Sequence, residues 1–380
     1  MYAYRCARYP RLRLTLALNA TSLVLAVALS GCLADNQTTS GSSRPTATAT
    51  SRVSGPVPQG TPVVLYWRSV TPDGLYATSW GGALYKIPTL NFGPGSPVVQ
   101  SPDGSRLAIG DKAYDTTSGA PTQLPLDAAT ADAVDVTWGD DSRHVCLVRR
   151  LPTDGSPSEI SFGLPGSPAK VLGRFGSQGQ QLPGATVLAC SATTNRVVVA
   201  NVGYMNDTSD VWVLDATTGA TKSHRSYPTT SQSNGNIGSF VVASPDGQYL
   251  AETDAATGSA TIRGIADGSV VARLSGMEVH GFSSHGHLVL AAPRSPGVAL
   301  ENASLTNPVV VDWRTGKTVW RSPVGAGFAG RLAAQPSGEG IALDLDVGQR
   351  HSIWLVGADG PGRAVDNDAQ FLVTVLVGLV

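Results

Sequence analysis

Charge is scarce in this sequence. Only 14% of its 380 residues are charged, the 27 basic and 28 acidic side chains nearly cancel, and no block of like charge stands out. A nucleic-acid partner needs a basic stripe to displace counterions from phosphates, so none is expected. Long apolar runs are also missing. Leu14–Leu29 is broken by Thr15, Asn19, Thr21 and Ser22, and the closing FLVTVLVGLV (371–380) has half the roughly 20 residues of a spanning helix. Cysteine is rare, with four in the chain. There is no G-x-S-x-G elbow for a serine nucleophile, no D-x-[DN]-x-[DN]-G calcium loop and no Cys/His set for zinc. No metal, cofactor or catalytic residue is therefore expected.

What is abundant is punctuation. The 43 glycines and 25 prolines are scattered between short Val-, Leu- and Ala-rich runs, which is the pattern of many strands and turns. A hydrophobic share of 42% is enough for a core.

The first 32 residues stand apart. Arg5, Arg8, Arg11 and Arg13 precede the apolar stretch, as in a secretory signal, and no two arginines are adjacent, which argues against a twin-arginine signal. The stretch ends in Leu29-Ser30-Gly31-Cys32. This resembles the lipobox of bacterial lipoproteins: an aliphatic residue, two small ones, then the cysteine that takes a diacylglycerol. The resemblance implies a signal peptide over 1–31, cleavage between Gly31 and Cys32, and a lipid on the Cys32 thiol. Two or three acyl chains, at about 0.8 kcal/mol per buried methylene, anchor stably where one is marginal. The expected location is the extracytoplasmic face of a cell membrane, with the membrane itself as one partner. Residues 32–60, rich in Thr, Ser, Ala, Pro and Gly, read as a flexible tether with a reach of about 30 Å.

The rest repeats. TPDG (71–74), SPDG (101–104) and SPDG (244–247) share a turn, and GDDS (139–142), SATT (191–194), SSHG (283–286) and QPSG (335–338) occupy matching places. Pro presets the first turn dihedral, Asp bonds the following backbone, and Gly accepts positive φ. An apolar run follows each turn, such as HVCLV (144–148) or HLVLA (287–291). A second turn recurs in AYDTTSG (113–119), VWVLDATTG (211–219), VVVDWRTG (309–316) and IWLVGADG (353–360). Two marked turns per unit make about four antiparallel strands, and successive units stand roughly 30 to 53 residues apart, close to the spacing of propeller blades. The fold class is all-β: a propeller over 61–380 with about seven four-stranded blades, six being the alternative because the first unit is thin. The closing apolar run is expected to close the ring beside Val63–Trp67.

The SPDG hairpin resembles TolB-type and WD40-like bacterial propellers, and VVVDWRTGKTVWRS (309–322), with its Trp320, resembles the PQQ-type propeller repeat. No complete quinone-binding signature accompanies it. The resemblance implies a binding or scaffolding module for an unnamed cell-envelope protein. The rival reading is a propeller enzyme, lactonase- or cyclotransferase-like, or a small-ligand sensor, with its site in the central channel.

Few residues single themselves out for chemistry. His280, His285 and His287 cluster, but the repeat puts them on a strand, in a turn and at a strand start. Cys146 and Cys190 fall on strands of adjacent units and are either a disulfide, permitted by export, or two small buried hydrophobes. Glu252 with Asp254, and Asp344 with Asp346, share strand faces and read as solvated strand ends. The longer connections at 151–157, 225–237 and 293–307 mark surfaces for recognition.

Overall fold

A computed structural model describes residues 53–68, 74–87, 98–126, 134–150, 158–175, 185–202, 208–228, 239–254, 256–297, 306–336, 338–347, 350–358, 361–365 and 374–376. Everything described belongs to one compact unit, Ala49–Val380. That unit is a seven-bladed β-propeller of mostly four-stranded antiparallel sheets.

Blade 1 draws on three parts of the chain: β1 (Val53–Ser54), β2 (Val63–Arg68), β3 (Gly74–Ser79) and β4 (Leu84–Lys86), with one strand still to come from the C-terminus. Blade 2 is the smallest, with β5 (Val98–Gln100), β6 (Arg106–Ile109), β7 (Lys112–Asp115) and β8 (Pro121–Gln123). Blade 3 holds β9 (Val134–Trp138), β10 (Val145–Arg150), β11 (Ser158–Gly163) and β12 (Lys170–Phe175). Blade 4 holds β13 (Thr186–Ser191), β14 (Arg196–Val202), β15 (Thr208–Asp215) and β16 (Thr221–Pro228). Blade 5 holds β17 (Ser239–Ala243), β18 (Tyr249–Asp254), β19 (Ser259–Gly264) and β20 (Val270–Leu274). Blade 6 holds β21 (Met277–Phe282), β22 (Leu288–Pro293), β23 (Val309–Asp312) and β24 (Lys317–Arg321). Blade 7 holds β25 (Ala326–Ala334), β26 (Ile341–Val347), β27 (Arg350–Val356) and β28 (Arg363–Ala364). Finally β29 (Thr374–Leu376) returns to blade 1, where it pairs antiparallel with β2 across Tyr66, Trp67 and Arg68. This is the closure expected of the C-terminal run.

The continuous apolar runs have a simple cause. The second strand of each blade is buried on both faces, so alternate residues go to opposite neighbours. In β14, Val197 and Val199 join the core shared with blade 3, while Val198 and Ala200 join the one shared with blade 5. In β22, Val289 and Ala291 face blade 5 and Leu288 and Leu290 face blade 7. Seven such cores fill the seven junctions, including one between blades 7 and 1 built from Ala333, Ala342, Ile353, Val64 and Tyr66. The PQQ-like Trp320 is buried between blades 6 and 7, its ring 5.6 Å from that of Trp354.

Two expectations need correction. The TPDG turn lies between β2 and β3, the second and third strands of its blade, whereas every other turn in the series joins a first strand to a second. Blade 1 takes its first strand from the C-terminus, so it has no covalent turn at that place. Ordered structure also begins before residue 61: β1 adds in parallel to β4 at the outer edge of blade 1, and Val57 is buried with Val63, Leu65 and Leu107.

Candidate functional site

The two faces of the propeller differ, and topology makes them so. First strands all run toward one face, so the turns between first and second strands and those between third and fourth strands gather there. The other face receives the connections from second to third strands and from blade to blade.

The turn face is tight and internally bonded. In SPDG, Ser101 Oγ donates to Asp103 Oδ1 (2.7 Å) and accepts from the Arg106 amide (3.0 Å), and Asp103 Oδ1 also accepts from the Ser105 amide (2.9 Å). Ser244 and Asp246 repeat the arrangement, with Ser244 Oγ taking the Tyr249 amide at 2.9 Å. These turns also bond to their neighbours. The Val63 amide donates to the Asp103 carbonyl (2.9 Å), the Asp103 amide to Ser142 Oγ (3.0 Å), Ser191 Oγ to Asp140 (2.7 Å), and Thr194 Oγ1 to the Asp246 carbonyl (2.8 Å). Ser284 Oγ donates to the Gln335 carbonyl at 2.5 Å. The outer turns follow the same logic: the backbone N–H and hydroxyl of Thr218 together with Lys222 hold Asp215 down at about 2.

On the opposite, loop face open the strand ends that flank 88–97, 127–133, 151–157, 176–184, 229–238 and 298–305, which lie outside the described residues. Of the 225–237 stretch, Arg225–Pro228 is the end of strand β16 and not a loop. On the link between blades 6 and 7, Val324 is 97% exposed, an apolar side chain offered to solvent on this face. At the same end of blade 6, Glu278 and Arg294 form a buried ion pair, and His280 Nε2 lies 2.8 Å from Glu278 Oε1. Burial pushes the Glu278 carboxyl up, but the hydrogen bonds and charges of His280 and Arg294 outweigh it and hold the group below the usual glutamate range.

Between blades 2 and 3 lies a cleft of about 360 Å³. Blade 2's outer strand has three residues, all exposed, against six in β12, so it leaves part of blade 3 uncovered. The core at this junction is the smallest of the seven. Cross-strand neighbours Leu147 and Ser161, then Arg149 and Glu159, form the floor. Leu126, Pro168 and Val171 form the walls, and Val171 is 51% exposed. Glu159 is buried and its two carboxylate oxygens are held by separate arginines, Arg149 at 2.5 Å and Arg174 at 3.0 Å.

The residues singled out by sequence fall as follows. Gly31 and Cys32 lie outside the described residues. Cys146 on β10 and Cys190 on β13 are joined by a disulfide, Cα atoms 5.9 Å apart, inside the core between blades 3 and 4. His287 Nδ1 sits 2.8 Å and His285 Nδ1 3.3 Å from one oxygen of Glu339, reached across from blade 7, while His280 is engaged with Glu278. Among the described residues no group of three or more His, Cys, Asp and Glu is placed to hold a metal. Glu252 and Asp344 are buried strand residues and not solvated ends; burial raises Glu252 against the pull of Arg263. Glu339, and the pairs Arg149–Glu159 and Glu278–Arg294, escaped sequence reading. For Arg149 and Glu159 the one signal was charge on a strand, in VCLVRR (145–150) and SEISFG (158–163); Glu339 lies in the connection between β25 and β26, and Arg294 just past the end of β22.

No family model and no curated protein matches the sequence. Solved structures do match in fold. A putative TolB from Agrobacterium tumefaciens is 15% identical, with a TM-score of 0.40, over 73% of this chain and 95% of that one. The β-propeller domain of the Trilobed protease from Pyrococcus furiosus is 8% identical, with a TM-score of 0.45, over 79% and 78%. A eukaryotic initiation factor is 11% identical, with a TM-score of 0.42, over 84% and 99%. At these identities the likeness is one of fold alone: the chain is similar to propellers, and is itself a seven-bladed one.

Proposed function

We propose that this chain is an exported, lipid-anchored propeller that binds another cell-envelope protein through its loop face. The observation that carries the binding reading is the asymmetry of the two faces. Turns on one face spend their polar groups on each other, whereas on the other open the strand ends that the longer stretches of sequence join, beside the bare Val324. Loops held by a rigid scaffold are where recognition concentrates. Export and anchoring rest on the basic start, the apolar stretch and the Leu29–Cys32 lipobox; a buried disulfide suits an oxidising compartment.

Two experiments test the two halves. Replacing Cys32 by Ala should move the protein from the membrane to the soluble fraction, and unchanged membrane retention would refute the lipid anchor. For binding, a photo-crosslinking residue at Val324 on the loop face is compared with one at Thr217 on the turn face. Adducts of defined mass should form in intact cells from position 324 and not from 217. Equal yields from both, or none from 324, would overturn the loop-face reading.

A further inference from the structure

The geometry points to the cleft between blades 2 and 3 as a docking site for an extended peptide segment that carries an apolar side chain followed by a carboxylate. This deepens the protein-binding reading by naming partner chemistry, at a cleft whose Leu126 and Arg149 end opens toward the loop face.

The cleft's volume of about 360 Å³ lies in the range of real ligand sites, and Leu126, Pro168 and Val171 make walls for an apolar group. A half-exposed valine at the rim of a cleft is surface that folding left uncovered. At the floor, Ser161 presents a hydroxyl beside the Arg149–Glu159 pair.

The charge decides the partner's sign. Glu159 is buried and shared between two arginines, so the trio carries one net positive charge. Arg174 supplies it outward: its Nε is held by Glu159 while its side chain is 67% exposed. The unbalanced charge of the trio is therefore a positive one, on the solvent side of Glu159. An apolar wall beside an exposed guanidinium complements an apolar residue next to an acidic one, since arginine pairs with carboxylates in a two-pronged geometry.

The test uses the full-length, detergent-solubilised protein and a tetrapeptide blocked at both ends, with leucine followed by aspartate, observed by saturation-transfer NMR. The aspartate peptide should give a saturable signal, about threefold stronger in affinity than its asparagine analogue and about tenfold stronger than a lysine analogue. Arg174→Glu should invert the order of the aspartate and lysine peptides. Val171→Asp should abolish the signal, and Val270→Asp, at a comparably exposed valine on blade 5, should leave it intact. No saturable signal, equal binding of the acidic and basic peptides, or survival of the signal in Val171→Asp would each overturn the proposal. The crosslinks from Val324 would be untouched by such a failure, so the two readings fall separately.

Discussion

A single glycine shows how much the turn face depends on residue identity. Gly104 holds φ at +70°, and a Cβ there would lie 2.3 Å from the Val63 carbonyl oxygen and 2.7 Å from a Val63 methyl on the neighbouring blade. Gly110, at φ +59°, has nothing within 4 Å. Gly104→Ala should therefore cost about 2–4 kcal/mol, combining backbone strain and collision, and Gly110→Ala only about 1–2 kcal/mol of strain. Chemical-denaturation midpoints of the two variants measure the difference, and equal losses would mean that blade 1 yields freely at Val63. Glu278 gives a second residue-scale prediction. Its folded carboxyl titrates below the unfolded value, so its contribution is complete above about pH 5 and is lost as pH falls through the folded value. Asp115, Asp141, Asp215 and Asp312 are lowered by their turn hydrogen bonds and act in the same direction, while the raised Glu252 opposes them. The melting temperature should drop steeply below pH 4. In Glu278→Gln it should drop less steeply, starting from a protein already weaker by about 1–3 kcal/mol at pH 7, because the buried Arg294 would lose the Glu278 carboxylate.

Elements were legible wherever their cause was local. The serine, aspartate and glycine of SPDG act on the next few backbone groups, so Ser101–Gly104 and Ser244–Gly247 announce a hairpin by themselves. The same locality explains the misplaced TPDG: a Pro-Asp-Gly turn works equally well between second and third strands, and nothing near Thr71 reports that the first strand of its blade lies 300 residues away. The cleft was invisible for a related reason, since it arises from the mismatch in length between β8 and β12 and not from any motif. Cys146 and Cys190 sit between these cases. Sequence put them on strands of adjacent units, and only the packing of β10 against β13 brings the sulfurs together. The bond closes a separation of 44 residues, so replacing both cysteines by Ala should cost about 2–4 kcal/mol, seen as a lower denaturation midpoint. Because both residues are fully buried, reductant alone should leave the folded protein unchanged until it opens; rapid reduction under native conditions would show that the junction of blades 3 and 4 breathes.

The propeller is a ring whose integrity concentrates in blade 1. Six blades are contiguous in sequence, and each pairs its own first and second strands through a short turn. Blade 1 alone is assembled from Val53–Ser54, Val63–Lys86 and Thr374–Leu376. Two unequal terminal contributions result. The N-terminal one adds a two-residue strand at the outer edge, where only β4 is covered. The C-terminal one supplies the innermost strand, covers β2 across Tyr66–Arg68, and touches β26 and β27 of blade 7. Sequence-distant contacts of this kind cost loop-closure entropy before they repay it, so closure should be the last and weakest step of assembly. A chain ending at Asn367 loses β29 and exposes the β2 edge to water, whereas a chain starting at Gly55 loses β1 but keeps the buried Val57. The C-terminal truncation should open the junction between blades 7 and 1, giving a larger radius in small-angle scattering and protease cuts within blade 1. The N-terminal truncation should leave both readouts close to those of the intact propeller. If the two behave alike, the core of Val64, Tyr66, Ala342 and Ile353 would be holding the ring without its closing strand.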